Sequence, residues 1–501
     1  MKADFVFLGS DVDSLVAARM LAASGAKVVV LETEKFLGGW AAPFEFAPGW
    51  SVPSFEPDVS SFPAELAESL GLERFGFKSV ATKDVPEGSS TLWYLDKKGG
   101  DRTETIGDVY EWLKATPMRD LLVQWAETEP FLTRIAARDL SGLNWWGVAR
   151  SAVHLGMKER ANLLELMRWL PMPVKDFLDD RMGRENAEIA SGLALTGLES
   201  VPYGPMAPGT TASFLLRSAL QTRKARSAGH LVPALERSAR DAGVEFHLGV
   251  EVERLRTERD VQGGTRVVGV STASLGAVEA GTVLSSLDPQ HVFSKWLPPA
   301  QLSIRFQERL RRIRMQPHRT SVFLGVEGRV DPRLPLGQSA RLALGWDALE
   351  TSSNAMKYGD WPAAAPVEYR ALPARDGAYV LRASVLYCPN DTQRPLEEQR
   401  QIATELALRP LDHWLPSVRS QIRATRAVVP SELSGLMGPR GSDPLGVDHA
   451  LDQLLMRPTP ELATWRTPIQ GLWQIGAFSH PCGGVTGRSG AMVARILRKQ
   501  A

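Results

Sequence analysis

The feature that most constrains this chain is how it begins. A short apolar run, FVFL at residues 5–8, leads into a helix-like segment at 12–23 and then a second apolar run, KVVVLE at 27–32. The β-branched VVV run and the stop at Gly25 read as strand, helix and strand in succession. Two strands joined this way lie parallel, because the helix must cross back over the sheet. Repeated units of this kind fold as an α/β doubly wound domain with its ligand at the carboxyl ends of the strands. The expected class is therefore α/β: a Rossmann-like doubly wound sheet interleaved with a mixed helical and sheet domain.

The first turn of such a unit normally carries G-x-G-x-x-G, because glycines let the backbone approach a pyrophosphate seated on the helix N-terminus. Here it reads Gly9-Ser10-Asp11-Val12-Asp13-Ser14, with only the first glycine kept and an acid at the second. Glu32 ends the second strand, where an acid meets the adenosine ribose hydroxyls roughly 20 residues on. A carboxylate about 4 Å from a phosphate charge costs roughly 4 kcal/mol at an effective dielectric of about 20. That is on the order of a thousandfold in affinity. Ser10, Asp11 and Asp13 also suit the cap and first turn of a helix, where acids complement exposed N–H groups. Two readings stand: the chain's own carboxylates fill the anion site, or a dinucleotide binds with a shifted loop.

The remainder of the 501 residues divides by pattern. Apolar spacings of three and four mark 108–216 as a helical insertion, and α/β signals return from 217 to 299, with residues 265–273 pairing as a hairpin with 277–286. Pro298 and Pro299 open a mixed region, 300–425, and the segment 426–501 ends in a glycine-rich turn and a helix. The first, third and last pieces (1–107, 217–299, 426–501) form one domain, and the other two the second. A net charge of +1 gives no field to draw in nucleic acid. Two cysteines make no disulfide framework, no metal-ligand spacing is present, and the N-terminus lacks the pattern of a secretory signal. A cytoplasmic protein without a transmembrane helix is expected. The Trp-rich stretches 143–157 and 167–177 read as core first, and as a peripheral membrane or oily-substrate face second.

The segment GLWQIGAFSHPCGGVTGRSGAMVARILRK is more specific than the first loop. A strand at 472–475 enters a turn whose Gly483, Gly484 and Gly487 allow close approach of a ligand, and a helix follows with its N-terminus free to face negative charge. The stretch TWRTPIQGLWQIGAFSHPCGGVTG closely resembles the C-terminal flavin motif of the phytoene desaturase-like family. Further matches run along almost the whole chain: VFLGSDVDSLVAARMLAASGAKVVVLE, YGPMAPGTTASFLL, AGHLVPALERSARDAGVEFHLGVEVERL and SSLDPQHVF.

That resemblance implies FAD as cofactor. It implies that Gly9 and Glu32, with Ser10 and Asp11 in the loop, face the ADP half, that Gly38 and Gly39 line the phosphates, and that Val252 lies by the adenine. Gly476 and Ala477 fall near the flavin phosphate, with His480, Gly484, Val485 and Gly487 around the isoalloxazine. Asp11, Ser14 and Cys482 depart from the family pattern at cofactor contacts. His480 reads either as a flavin-facing group that shuttles a proton or as a loop histidine satisfied by backbone, and Cys482 as a small filler. The activity implied is hydride chemistry on an apolar, isoprenoid-like or lipid-like molecule. The alternative is a member that has lost FAD and binds a ligand or partner protein without redox turnover.

Overall fold

The computed structural model describes residues 1–77, 91–95, 100–105, 122–123, 125–127, 164–220, 228–259 and 264–500. Five strands build an all-parallel sheet: β1 (Phe5–Leu8), β2 (Val28–Glu32), β3 (Glu245–Leu248), β4 (Thr282–Ser285) and β5 (Leu472–Gln474), in the order β5-β4-β1-β2-β3. Every residue of β2 is buried, because both faces of the sheet are covered. On one face lie α1 (Val12–Ala22), α2 (Ala228–Asp241) and α3 (Arg488–Arg498), which close over Phe7, Val28, Val30, Leu284 and Trp473. On the other, a meander of Val252–Arg259, Thr265–Thr272 and Gly276–Glu279 closes over Val6, Leu8, Val29 and Val283. The expected doubly wound sheet is thus present. Residues 265–272 and 276–279 pair antiparallel as read, whereas 282–285 leaves the hairpin to become β4.

A second sheet of seven strands runs in the order Ile422–Val428, Arg319–Glu327, Ala378–Leu386, Val367–Pro373, Ser339–Leu342, Thr91–Leu95 and Asp101–Thr105. Its last two strands were expected with the first domain, inside 1–107. They cross over because the edge strand Ser339–Leu342 offers Thr91–Leu95 a parallel partner and because Trp93 stacks on Trp414 at 5.5 Å.

Period-two alternation gives this sheet two unlike faces. Val322, Leu324, Tyr369, Leu381, Ala383 and Val385 meet Leu406, Ala407, Leu411 and Trp414 of the helix Leu396–Trp414. Arg319, Glu368, Arg370, Arg382 and Ser384 belong to the opposite face, toward the parallel-sheet domain.

Of the helical insertion, Val174–Met182, Ala187–Leu198 and Thr210–Leu220 are helices, while Trp145 and Trp146 lie outside the described residues. Trp169 is core, edge-on to Phe177 at 5.3 Å with the Arg181 guanidinium 4.6 Å over its ring. No helix among the described residues is long and apolar enough to cross a membrane.

Candidate functional site

The strand order reverses between β1 and β4, which is where doubly wound sheets bind ligands. The loop after β1 fills this crevice. Gly9 has φ +88°, and a Cβ there would come within 2.8 Å of Ser286 and Leu287 at the end of β4. Asp11 caps α1, its Oδ1 accepting from the Ser14 N–H at 2.8 Å. The rest of its side chain lies between two glycines: a Cβ on Gly476 would be 2.6 Å from Asp11 Oδ2, and one on Gly39 would be 3.2 Å from Asp11 Cβ. Burial pushes the Asp11 carboxyl up to about 8, and the nearby Asp13 adds to the shift against the hydroxyls of Ser14 and Ser286. Burial thus favours its neutral form.

Glu32 is 3% exposed and its oxygens are taken. Ser10 gives Oε2 both its N–H (3.0 Å) and its hydroxyl (2.6 Å). The Glu34 N–H donates to Oε1 at 3.0 Å, and the Arg440 guanidinium reaches Oε1 at 3.3 Å. Arg440 also pairs with Glu34 at 3.3 Å, lies 5.8 Å from the Phe36 ring centroid, and accepts the Trp40 indole N–H on its carbonyl. It comes from the short turn Gly438–Arg440, some 408 residues from Glu32. Sequence reasoning missed it, since no motif marks the GPR turn. Gly38, at φ +114°, donates its N–H to the Ser10 carbonyl at 2.9 Å, so the second loop is zipped onto the first. Val252 is buried beside Leu31 under the meander.

Asp13 joins the two ends of the domain. Its Oδ1 accepts from the Ser489 hydroxyl (2.7 Å) and the Gly490 N–H (3.0 Å), which lie in the first turn of α3. An acid is favoured at a helix N-terminus, yet burial still raises the Asp13 carboxyl. A Cβ on Gly490 would stand 2.0 Å from the Asp13 carbonyl oxygen, so only glycine lets α1 and α3 meet here.

The terminal turn is equally tight. The Gly476 N–H donates to Ser489 Oγ at 2.8 Å. The Ala477 carbonyl is one of three that accept from Arg457 Nη2, with those of Leu445 and Val447, at 2.6–3.0 Å. His480 is 1% exposed, edge-on to Trp125 at 4.5 Å and Trp465 at 5.8 Å, with Nε2 3.1 Å from the Trp125 carbonyl. Cys482 sits among Ala126, Ala212 and Leu216, and burial raises its thiol. Gly487, at φ +65°, precedes α3 and packs on Phe62 and Val16.

Gly484 and Val485 border a cavity of about 30 Å³ whose wall is ionic. Arg217, Arg319, Arg341, Arg370 and Arg382 face Glu56, Asp58, Glu199 and Glu368. Arg382 approaches Glu56 at 3.3 Å, Arg319 approaches Asp443 at 3.5 Å, and Arg217 binds Glu199. Burial alone would raise the Asp58 carboxyl, but Arg370 and Arg217 more than reverse it and hold it below its usual range. Burial lowers Arg382 despite Glu56. Arg319, Arg341, Glu368, Arg370 and Arg382 come from strands of the region 300–425, read only as mixed. Within it, residues 361–373 were expected as a Pro- and Gly-rich connection, and 367–373 are instead a strand. The one signal was Glu368 and Arg370 at alternate positions in VEYRALP.

Gly9, Ser10, Asp11, Glu32, Gly38, Gly39 and Gly476 are therefore gathered at one sheet edge, while Gly484 and Val485 line the ionic cavity and His480 lies between two tryptophans. In this arrangement they do not fit FAD. Asp11 fills the gap between Gly39 and Gly476, Arg440 holds the ribose position, and the cavity beside Gly484 measures about 30 Å³. Ligand pockets usually hold roughly 300 Å³ or more.

No family model matches the chain. It is 23% identical to the mouse pyridine nucleotide-disulfide oxidoreductase domain-containing protein 2 over 552 aligned positions, covering 99% of this chain and 93% of the mouse protein. It is 40% identical to the zeta-carotene-forming phytoene desaturase of Myxococcus xanthus over 78 positions, 16% of this chain. The likeness to a phytoene desaturase is thus one of sequence, over that segment. Among solved structures, an oxidoreductase from Methanosarcina mazei superposes with a TM-score of 0.58 at 12% identity, with 100% of each chain covered. A putrescine oxidase solved with putrescine bound gives 0.61 at 15%, over 100% of this chain and 99% of the other. At these identities the structures speak for the fold alone.

Proposed function

We propose that the chain is a flavin-dependent oxidoreductase of the phytoene desaturase-like type, acting on a substrate that presents a polar or ionised group to the site. The observation that carries this is the convergence of Gly9, Glu32, Gly38, Gly39 and Gly476 on the carboxyl edge of one parallel sheet, at its switch point. The names of the similar proteins support the oxidoreductase class.

The apolar, isoprenoid-like substrate expected from the sequence has less support, because the wall beside Gly484 is ionic. A hydrocarbon against these ion pairs would strip water from their outward-facing polar atoms, which is costly. Arg217 and Arg319, paired with Glu199 and Asp443, make that wall a polar surface better suited to an anionic or hydroxylated group. The flavin's chemistry would be its own, and the chain's part is binding, orientation and exclusion of water.

The test is FAD-dependent reduction of an artificial electron acceptor, comparing hydroxylated or carboxylated substrates with hydrocarbons of equal size. Turnover confined to the hydrocarbons sinks the substrate assignment; none with any substrate, at saturating FAD, sinks the oxidoreductase. A second reading, a non-redox protein that binds a ligand or a partner protein, is favoured by the seat of Asp11. A colourless protein that ignores added FAD under every condition supports it.

A further inference from the structure

We infer that the ADP half of the flavin site is shut by two of the chain's own side chains, Asp11 across the diphosphate track and Arg440 on the ribose-reading Glu32, so that FAD is a loosely held, exchangeable ligand. The inference rests on the flavin-dependent reading above.

Three independent contacts support it. Asp11 is rooted at the cap of α1 by its bond from the Ser14 N–H, and its Cβ already lies against Gly39, so no rotation of the side chain clears the track. Arg440 makes the contacts that ribose hydroxyls would make with Glu32, and it is a charged donor with a second carboxylate, Glu34, behind it. Ser10 takes the other oxygen of Glu32 with two donors while its carbonyl and hydroxyl hold the Gly38 N–H, which ties the second loop down over the first.

Volume rather than charge closes the track. Burial, with Asp13 nearby, raises the Asp11 carboxyl and so favours its neutral form. The repulsion of a diphosphate is thereby reduced, while the bulk of the side chain between Gly39 and Gly476 remains. Asparagine and glycine at position 11 consequently separate the two causes, since asparagine removes the charge and keeps the bulk.

The experiment is a titration of the purified full chain with FAD, followed by flavin fluorescence and the visible spectrum, with the melting temperature recorded for every variant. The wild type is expected to purify colourless and to bind FAD with a Kd weaker than about 100 μM, at the weak end of ligand affinities. Asp11→Asn should match it. Asp11→Gly with Ser14→Gly should bind at least a hundredfold more tightly, and Arg440→Ala, made separately in case the loop variant fails to fold, about tenfold.

Wild-type protein carrying one tightly bound FAD per chain overturns the closure and leaves the flavin-dependent reading standing. An Asp11→Asn gain equal to that of Asp11→Gly overturns the steric account. Folded loop and Arg440 variants that still ignore FAD overturn both the closure and the flavin-dependent reading.

Discussion

Two turns meet at the carboxyl edge of the parallel sheet, one with a single glycine and one rich in them, and they are filled in different ways. The turn after β1 retains Gly9 but carries Asp11 and Ser14 in place of small residues, and the space this would have left is occupied by the protein itself. The turn before α3 carries Gly483, Gly484 and Gly487, and the first turn of α3 adds Gly490. At three of these a Cβ would fall within 3.0 Å of another group: Leu445 for Gly483, Phe62 for Gly487 and Asp13 for Gly490. The second set is therefore held by packing of the chain on itself, independently of any ligand. Glycines that serve a bound molecule and glycines that serve the fold look alike in a sequence, and only the contacts tell them apart.

The sharpest way to break this comparison is to place alanine in the second turn. Gly483→Ala puts a methyl 1.6 Å from the Leu445 carbonyl oxygen and Gly490→Ala puts one 2.0 Å from that of Asp13. Each should cost about 3 kcal/mol or more by forcing backbone apart. The urea midpoint measures it, and a loss below about 1 kcal/mol would show that these glycines are not packing glycines.

Arg457→Met comes next. It strips three buried carbonyls of their shared donor, which should cost about 2–4 kcal/mol. The Ala477 turn would loosen with it, readable as faster amide exchange at residues 476–478.

The first turn should instead respond to pH. With the Asp11 carboxyl pushed from 3.8 up to about 8, the folded chain holds a proton that the unfolded chain gives up between those values. Stability therefore falls as pH rises from about 4 to about 8, by up to roughly 1.4 kcal/mol per unit, and levels off above. Asp13, raised by burial, acts in the same direction. Asp11→Asn keeps a good helix cap and should flatten the slope, gaining a few kcal/mol over wild type at pH 8 and little at pH 5. Equal gains at both pH values would mean that Asp11 is ionised in the fold. The smallest effect is expected from Glu34→Gln, the half-exposed outer partner of Arg440, which should shift stability by no more than about 0.5 kcal/mol.

How much of this was legible follows the range of the interactions. β1, α1 and β2, the helix at 228–241 and the terminal turn were readable because local periodicity and turn residues specify them. The gathering of Gly9, Glu32, Gly38 and Gly476 was readable only through resemblance. Arg440 was not, since its partner is 408 residues away and a lone arginine in a short turn carries no signal. Neither was the ionic wall: its residues come from separated strands and the segments around Glu56 and Glu199, and charge alternation in one strand reads equally well as a solvated face. The transfer of residues 91–105 to the second sheet depended on an edge partner some 250 positions later.

The clasp between Asp13 and the start of α3 has a consequence during synthesis. As the polypeptide leaves the ribosome, α1 emerges early with the surface that will receive α3 still bare, and β4 waits for β5 to cover its outer edge. Neither can be satisfied until residues 472–498 are made, so the domain stays incomplete in the nascent chain until they emerge. Such a chain invites chaperone holding, and a truncation before residue 472 would yield a domain that never seals.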